Sequence, residues 1–254
     1  MIDNVSIVTP VLNNANTIRD CIESVRKQSH ECQHVIVDGC SSDGTLQIAE
    51  RMADRKTIVV SEPDQGIYDA INKGIQASTG TIIGVLNADD FYPEENVIEK
   101  VMEALSNREA GACYGDLVYV DREQCSRVTR LWKSGELNTN SFYNGWMPPH
   151  PTFFIRADLY RRYGNYRLDL GTSADYELML RMLLKHKVCA AYIPEILVHM
   201  RNRGVSNRDF LSRLRANRHD RLAWTVNDLT PKPWTSIAKP LRKLPQWWRK
   251  AERL

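Results

Sequence analysis

The segment Thr81-Ile82-Ile83-Gly84-Val85-Leu86-Asn87-Ala88-Asp89-Asp90 joins a short apolar stretch to two adjacent carboxylates. Its first six residues are largely β-branched, which predicts a buried strand that ends before Pro93. Carboxylates at the end of a strand in an open α/β sheet face the crevice where ligands bind. Asp89 and Asp90 offer the hard oxygen ligands that Mg²⁺ or Mn²⁺ prefers. The alternative is an ordinary surface turn, where Asp and Asn are common.

Strand and helix patterns alternate through the first half of the chain, with short connections between them. This alternation predicts an α/β fold with a mainly parallel, doubly wound, Rossmann-like sheet and right-handed crossovers. The predicted strands cover residues 5–10, 34–38, 57–61 and 81–86, and the predicted helices cover 18–25, 46–53 and 67–77.

Polar residues follow several of these strands, so we expect them to gather at one edge of the sheet, as a nucleotide site requires. The chain has no G-x-G-x-x-G motif after its first strand and no P-loop. A bound phosphate would therefore be held by a metal ion rather than by a glycine nest. The strand-end residues are Thr9, Asp38, Asp64, Asp89 and Asp90.

The second half of the chain has a less regular pattern, which predicts a smaller, largely antiparallel part of the fold. It contains a long loop at residues 138–149, rich in Asn, aromatic residues and Pro, which suggests function. The other predicted elements are helices at 97–106 and 174–185 and strands at 110–115, 116–131, 150–156, 188–193 and 196–200.

Composition narrows the class of protein. The 254 residues carry a net charge of +3, which is too small by itself to indicate a nucleic-acid partner. Six scattered cysteines without metal spacing indicate reduced thiols in the cytoplasm. Neither a signal-peptide pattern nor an apolar run of the ~20 residues that span a bilayer is visible, so we expect a cytoplasmic protein.

Ordered motifs across residues 4–206 resemble the family 2 glycosyltransferases with the GT-A fold, in particular the bacterial polysaccharide-assembly enzymes of the colanic-acid type. Each motif alone is weak, but their order and spacing together are specific. The matching stretches are 6–13, 35–45, 61–74, 86–90, 149–154 and 173–178.

The resemblance implies an enzyme that transfers a sugar, with inversion, from a nucleotide diphosphate sugar, usually a UDP-sugar. Residues 1–206 would form the catalytic domain, with a nucleotide-sugar-binding half at 1–116 and an acceptor-binding half at 117–206. By the same resemblance Asp38 would accept a hydrogen bond from uracil. The other nucleotide-site residues would be Thr9, Pro10 and Asn13 at the base, Asp64 and Lys73 at the nucleoside diphosphate, and Asn87 and Ala88.

The resemblance also implies a metal site and a general base. Asp89 would bind Mn²⁺ or Mg²⁺ with Asp90 beside it, and His199 is a further candidate ligand. Asn87 occupies the position of the first acid in the family's Asp-x-Asp motif. A ribose or metal contact at this position would therefore be made by an amide. Asp175 would be the base, and the alternative is a first-turn carboxylate that stabilises the helix dipole.

Four more residues are candidates for contact with the acceptor or the diphosphate. His150 ends the long loop, and the alternative is a histidine that satisfies nearby backbone groups. Trp146 would stack on a sugar or simply pack in the core. Arg201 and Arg203 have the guanidinium geometry that suits phosphate, although they would equally serve as solvated surface charge.

Residues 207–254 form a basic extension that we expect to be helical. Tryptophans such as Trp247 and Trp248 alternate with Lys and Arg, a pattern suited to an anionic membrane surface. A polyprenyl-diphosphate-linked or other glycan acceptor would make this peripheral position on the inner face of the membrane useful. The alternative is a tail that packs its tryptophans on the catalytic domain.

Two other functions compete with glycosyl transfer in bacterial surface polysaccharide synthesis. A sugar nucleotidyltransferase shares a related sheet but usually needs a glycine-rich, basic loop after the first strand, and residues 10–16 contain neither glycine nor lysine. A non-catalytic nucleotide-sugar-binding protein would explain Asn87 as the sign of a lost metal site. Against it, Asp89, Asp90 and Asp175 are all present.

Overall fold

The computed structural model describes residues 4–138, 140–202, 210–235 and 238. Within these ranges the chain forms one nine-stranded sheet covered by seven α-helices. The strands are β1 (Val5–Val11), β2 (Gln33–Asp38), β3 (Thr57–Ser61), β4 (Ile82–Val85), β5 (Asp90–Phe91), β6 (Ala112–Val120), β7 (Val128–Trp132), β8 (Phe154–Arg156) and β9 (Ala190–Arg201). The helices are α1 (Ile18–Arg26), α2 (Thr45–Met52), α3 (Ile67–Ala77), α4 (Val97–Ala104), α5 (Ala157–Tyr163), α6 (Ala174–Met179) and α7 (Phe210–Thr225).

The sheet has a parallel half and a mixed half. Strands β3, β2, β1 and β4 lie side by side and parallel, with Val8 of β1 opposite both Val35 and Val85. Strand β8 then pairs antiparallel with β4 and with β6, while β6 pairs parallel with β9 and antiparallel with β7. The predicted α/β fold with a parallel sheet and a smaller antiparallel part is therefore confirmed.

Alternation along the strands places helices on both faces of the sheet. Val8 belongs to the core under α3, whereas Ile7 belongs to the core under α1 and α4. Helix α3 lies close against β1, because a Cβ on Gly74 would stand 2.3 Å from Val8 Cγ1. Because α3 follows β3 after a short loop, it begins at the edge where the parallel strands end.

Several elements differ from the sequence predictions. Residues His150–Thr152 form a 3₁₀ turn, so β8 begins only at Phe154, since Pro151 cannot donate a ladder hydrogen bond. The two predicted strands at 188–193 and 196–200 are one strand, β9, with register shifts against β6. Helix α6 continues as a π-helix, Leu180–Lys185, and α5 had not been predicted.

The described part of the extension packs on the domain. Ala223 and Trp224 of α7 are buried in the same core as α3 and α6. Further on, Thr235 donates a hydrogen bond to the carbonyl of Tyr143, 2.8 Å away. Among the described residues no helix has the length and apolar character needed to cross a bilayer. Trp247, Trp248 and the rest of the basic segment lie outside the described residues.

A buried polar pair joins β1 to β2. Thr9 Oγ1 lies 2.8 Å from His34 Nε2, and both residues are buried. Burial lowers the pKa of His34 from its ordinary value of 6.5 to about 4, so the ring stays neutral. In this pair the Thr9 hydroxyl is committed to the interior of the sheet.

His34 should make the stability of the protein fall in mild acid. Its pKa is lower in the folded than in the unfolded state, so the unfolded chain binds more protons between pH 6.5 and about 4. The free energy of unfolding should therefore drop as the pH falls through that window, by about 2 kcal/mol at pH 5 from this group. Urea unfolding at pH 7 and pH 5 measures the drop.

The variant His34→Gln should lose less stability than wild type between these two pH values, because it removes the titrating ring. His30→Gln, a substitution of a loop histidine, is the matched control. An identical pH dependence in wild type and His34→Gln would contradict the assignment of the effect to this pair.

Candidate active site

Two loops at the end of the parallel strands are bonded to one another. In the loop after β1, Asn13 Oδ1 accepts a hydrogen bond of 2.9 Å from Ser42 N, and Ala15 N donates to Asp43 Oδ2 at 3.0 Å. Asn13 has φ of +53°, a left-handed conformation that Asn tolerates well. These bonds hold Asn13, which is exposed, at the edge predicted for a nucleotide.

Asp38 and Asp64 meet at the same edge. Asp38 is fully buried at the end of β2 and accepts hydrogen bonds from Ser61 Oγ (2.7 Å) and Ser41 N (3.1 Å). A Cβ on Gly39 would stand only 2.3 Å from Asp64 Oδ2, so the Asp64 carboxylate occupies space that a side chain at position 39 would fill. Sequence reasoning missed Gly39, although a glycine directly after a strand-end acid was the available signal.

Lys73 is held by carboxylates of its own neighbourhood. Its ammonium lies 3.0 Å from Glu62 Oε1 and 3.5 Å from Asp69 Oδ2, and it donates to the carbonyl of Pro63 at 2.6 Å. The hydrogen bond to Glu62 raises the pKa of Lys73. Lys73 therefore fastens the β3–α3 loop beside Asp64, and its contact with a diphosphate stays a prediction.

Three other residues predicted for the nucleotide site have buried side chains. The hydroxyl of Thr9 is bonded to His34, and Pro10 is buried in β1. Ala88 belongs to a small apolar cluster with Val11 and Ile18. The side chains of Thr9 and Ala88 are thus used by the fold, which leaves their backbone as the part available to a ligand.

The turn that follows β4 is built from buried polar groups. Asn87 Nδ2 donates to Asp90 Oδ2 at 3.0 Å, and Asp90 N donates to the carbonyl of Asn87 at 2.9 Å. Asp90 is wholly buried and Asp89 is 7% exposed. Asn87 Oδ1 is buried and has no hydrogen-bond partner among the described residues.

Arg201, at the end of β9, stabilises the turn that carries Asp89. It is buried and donates from Nη1 to the carbonyl of Asp89 at 3.0 Å. It also forms an ion pair with Asp20 and places its guanidinium 4.9 Å from the ring centre of Phe91. The structure therefore excludes solvated surface charge as the role of Arg201. Arg203 lies outside the described residues.

His199 lies two residues before Arg201 and packs its ring against the edge of Phe91, with 5.3 Å between ring centres. Burial lowers the pKa of His199, which favours the neutral imidazole that metal ligands require. Its role as a metal ligand stays a prediction.

The donor groups around Asp89 fit a hard divalent ion shared with a substrate. Within the described ranges, no group of three or more His, Cys, Asp or Glu side chains is arranged to hold a metal by itself. Mg²⁺ and Mn²⁺ suit a different arrangement, in which one or two carboxylates bind the ion and water and phosphate oxygens complete it. Asp89 and the orphaned Asn87 Oδ1 would be the oxygen donors in that arrangement.

The second acidic centre is Asp175, in the first turn of α6. Its side chain is 17% exposed, and Oδ2 lies 3.6 Å from His150 Nδ1. Its Oδ1 accepts a hydrogen bond from Tyr176 N at 2.7 Å. The fold thus brings Asp175 and His150 together although they are 25 residues apart in sequence.

Tyr68 of α3 reaches the same carboxylate, and sequence reasoning missed it. Its hydroxyl donates a hydrogen bond to the carbonyl of Thr172 at 3.4 Å and lies close enough to Asp175 to be influenced by its charge. Burial, together with the negative charge of Asp175, raises the pKa of Tyr68, so the phenol stays protonated. The ring stacks on Tyr166 with 5.6 Å between centres.

Trp146 packs in the core. It is buried, donates from Nε1 to the carbonyl of Ser134 at 2.7 Å, and meets Tyr114 and Phe142 edge to face. This is the packing alternative named above for Trp146. Its ring is surrounded by protein, so stacking on a sugar finds no support here.

A buried ion pair follows Asp175 in the chain. Arg181 binds Glu177 with two hydrogen bonds of 2.9 Å and also donates to the carbonyls of Tyr163, Gly164 and Asn165. Glu177 is 1% exposed. The spacing of four residues between acid and base was the signal in the sequence, but it does not distinguish a buried pair from a surface pair.

The site residues lie within and just beyond a recognised family match. The family model of glycosyl transferase family 2 matches residues 6–164. The chain belongs to this family. The match includes the nucleotide-side loops, Asp89 and His150, whereas Asp175 and Arg201 follow it. The predicted family is confirmed, and the colanic-acid subgroup stays a prediction.

Related proteins have the same enzyme class. This glycosyltransferase is 29% identical over 218 residues to a PGL/p-HBAD biosynthesis glycosyltransferase of Mycobacterium bovis, a match that covers 82% of this chain and 83% of the relative. It is 35% identical over 108 residues to the putative teichuronic acid biosynthesis glycosyltransferase TuaG of Bacillus subtilis, covering 41% and 42% of the two chains.

Solved structures share the fold at low sequence identity. The mannosyltransferase PcManGT of Pyrobaculum calidifontis, solved with GDP-Man and Mn²⁺, superimposes with a TM-score of 0.67 at 19% identity, covering 98% of this chain and 72% of that one. S. aureus TarS 1-349, in complex with UDP-GlcNAc, gives 0.67 at 15% identity, covering 96% and 78%. The glycosyltransferase therefore has the GT-A fold.

Replacing Arg201 should loosen the turn that carries Asp89. Arg201→Met keeps much of the side-chain volume but leaves the buried carbonyl of Asp89 without its donor from β9. The free energy of unfolding, measured in urea, should fall by about 1–3 kcal/mol. Arg161→Met, which changes an exposed arginine of α5, is the matched control. Equal stability of the two variants would show that Arg201 does not support the turn.

Proposed function

We propose that this glycosyltransferase transfers a sugar, with inversion, from a UDP-sugar to a glycan or polyprenyl-diphosphate-linked acceptor. The observation that carries the proposal is the separation of two acidic centres. Asp89 lies at the buried end of β4, and Asp175 lies on α6 beside His150. Transfer to an acceptor hydroxyl needs such a division, with one acid for the leaving group and another for the attacking oxygen.

The nucleotide would bind where the loops after β1, β2 and β3 converge. Asp38 already accepts two hydrogen bonds, which fix its carboxylate in place for a donor on the uracil ring. Asn13 lies at the same edge, and Asp64 lies over Gly39. Two structural neighbours were solved with nucleotide sugars, GDP-Man in one and UDP-GlcNAc in the other, which supports a donor of this class.

Mn²⁺ or Mg²⁺ fits the oxygen donors at the end of β4. Asp89 would hold the ion, with Asn87 as the adjacent amide donor and Asp90 as the residue that orients Asn87. When bound, such an ion stabilises the negative charge that develops on a departing diphosphate. Arg201 keeps the Asp89 backbone in place for this role.

Asp175 would act as the general base. Its Oδ1 is bonded to the backbone of its own helix, so Oδ2, on the side of His150, is the atom that takes the proton from the acceptor hydroxyl. His150 Nδ1, 3.6 Å from Oδ2, and the protonated Tyr68 lie beside this carboxylate. Attack from the face of the sugar opposite to the diphosphate would give inversion.

The names of two relatives and the C-terminal sequence bear on the acceptor and the cellular setting. Relatives are named for PGL/p-HBAD and teichuronic acid biosynthesis, two processes of glycan or glycolipid assembly. The Trp, Lys and Arg content of residues 239–254 supports peripheral attachment to an anionic cytoplasmic membrane, where a lipid-linked acceptor would lie. Both points extend the proposal to bacterial surface polysaccharide synthesis.

Binding of UDP should depend on the metal and on Asp89. Calorimetric titration of wild type with UDP should give affinity in the presence of Mn²⁺ that weakens at least about tenfold without it, and weakens similarly in Asp89→Asn. Asp158→Asn, which changes an exposed acid in the first turn of α5, is the control. Absence of UDP binding under both conditions would overturn the uridine assignment.

Loss of the base should stop turnover without affecting UDP binding. Asp175→Asn should lower the release of UDP from a UDP-sugar, supplied with bacterial membrane extract as acceptor, by about 10²–10⁴-fold. Asp158→Asn again provides the control, since Asp158 also lies in a first helical turn and reproduces any effect on the helix dipole.

The same assay separates the competing functions. Release of pyrophosphate when UTP and a sugar 1-phosphate replace the UDP-sugar would identify a nucleotidyltransferase. A wild-type protein that binds UDP but turns over no donor would indicate a non-catalytic nucleotide-sugar-binding protein.

A further inference from the structure

Helix α7 touches the chain just before Asp175. Asp220 Oδ1 accepts a hydrogen bond of 2.9 Å from Ser173 Oγ, in the 3₁₀ turn that leads into α6. Two residues earlier, Gly171 has φ of +50°, and a Cβ there would stand 3.0 Å from the ring of His219. The turn before Asp175 is therefore pressed against α7 at two points.

The same helix also touches the chain just after Asp175. Trp224 Nε1 donates to the hydroxyl of Tyr176 at 3.0 Å, and both side chains are buried. Beyond the end of α7, Asn227 Nδ2 donates to Glu177 Oε1 at 3.1 Å. Because Arg181 holds the Glu177 carboxylate with two hydrogen bonds, Asn227 joins α7 to a buried ion pair.

These contacts flank Asp175 on both sides while its carboxylate faces His150 and Tyr68. As at any helix N-terminus, the first turn of α6 has backbone N–H groups that no helical carbonyl satisfies, and the α-helix continues for only six residues before it becomes a π-helix. Helix ends of this kind lose order readily unless tertiary contacts hold them. The contacts from α7 supply such a restraint.

We propose that Asp220, Trp224 and Asn227 are positioning residues for Asp175, so that the C-terminal helix takes part in catalysis without touching the substrate. The proposal rests on the proposed role of Asp175 as the base. It gives the segment after the family match, which ends at residue 164, a part in the reaction. A base displaced by about 1 Å loses on the order of a hundredfold in rate, so this restraint would be visible in kcat.

Asp220 allows the sharpest test, because its partner Ser173 is a donor. Asp220→Ala removes the acceptor, whereas Asp220→Asn keeps an Oδ1 that accepts the same hydrogen bond. Thr225→Ala, an exposed position on the same helix, is the control. All variants are made in the full chain and checked for cooperative thermal unfolding.

Two readouts separate positioning from a general structural role. UDP affinity in the presence of Mn²⁺ should stay within about twofold of wild type in Asp220→Ala, since the nucleotide loops lie on the other half of the sheet. The kcat for UDP release from UDP-glucose, UDP-galactose or UDP-N-acetylglucosamine, with membrane extract, should fall at least about tenfold, with the donor KM unchanged. Asp220→Asn should restore most of it.

Equal kcat in Asp220→Ala and Thr225→Ala would overturn the proposal, as would a parallel loss of UDP affinity. Hydrogen exchange of peptides covering residues 171–178 provides a test that does not need turnover. Exchange there should speed up in Asp220→Ala and recover in Asp220→Asn, while residues 67–77 stay unchanged.

If wild type releases no UDP from any donor, the proposed function fails. In that case faster exchange at 171–178 in Asp220→Ala would still show that α7 stabilises this segment, but α7 would have no role in catalysis. Unchanged exchange in Asp220→Ala would contradict both the stabilisation of residues 171–178 by α7 and its role in catalysis.

Discussion

One buried guanidinium joins the two halves of the sheet. Arg201 at the end of β9 bonds to the carbonyl of Asp89, 112 residues earlier in the chain, and pairs with Asp20 in α1. A buried cation is costly unless it is paired and fully hydrogen-bonded, so its partners must be in place when the fold closes. The turn that presents Asp89 therefore depends on β9, and β9 in turn depends on its long pairing with β6.

The part of the fold that follows from local pattern was predictable from the sequence. Strand β3 and helix α3 begin and end where apolar period and flanking turn residues indicate, at 57–61 and 67–77. The clustering of Asp38 and Asp64 followed from parallel strand ends alone. These are short-range signals that act within one strand and the turn after it.

What escaped prediction depends on contacts between distant segments. Trp146 has one partner nearby in the chain, Phe142, but its contacts with Tyr114 and Ser134 join it to other elements, and these do not show in its local sequence. The same holds for Arg201. Its charge makes it a candidate phosphate contact in the sequence, but nothing local predicts its hydrogen bond to the carbonyl of Asp89. The Tyr68 contact with Asp175 and the contacts of α7 likewise join segments that no periodicity relates.

Gly39 limits how this site can change over evolution. Because the Asp64 carboxylate occupies the space beside the α-carbon of Gly39, almost any side chain there would displace Asp64. A replacement of Gly39 would thus require the Asp64 carboxylate to turn away from its present position. A substitution at position 39 would therefore act on this edge of the sheet through the orientation of Asp64 and not only through its own side chain.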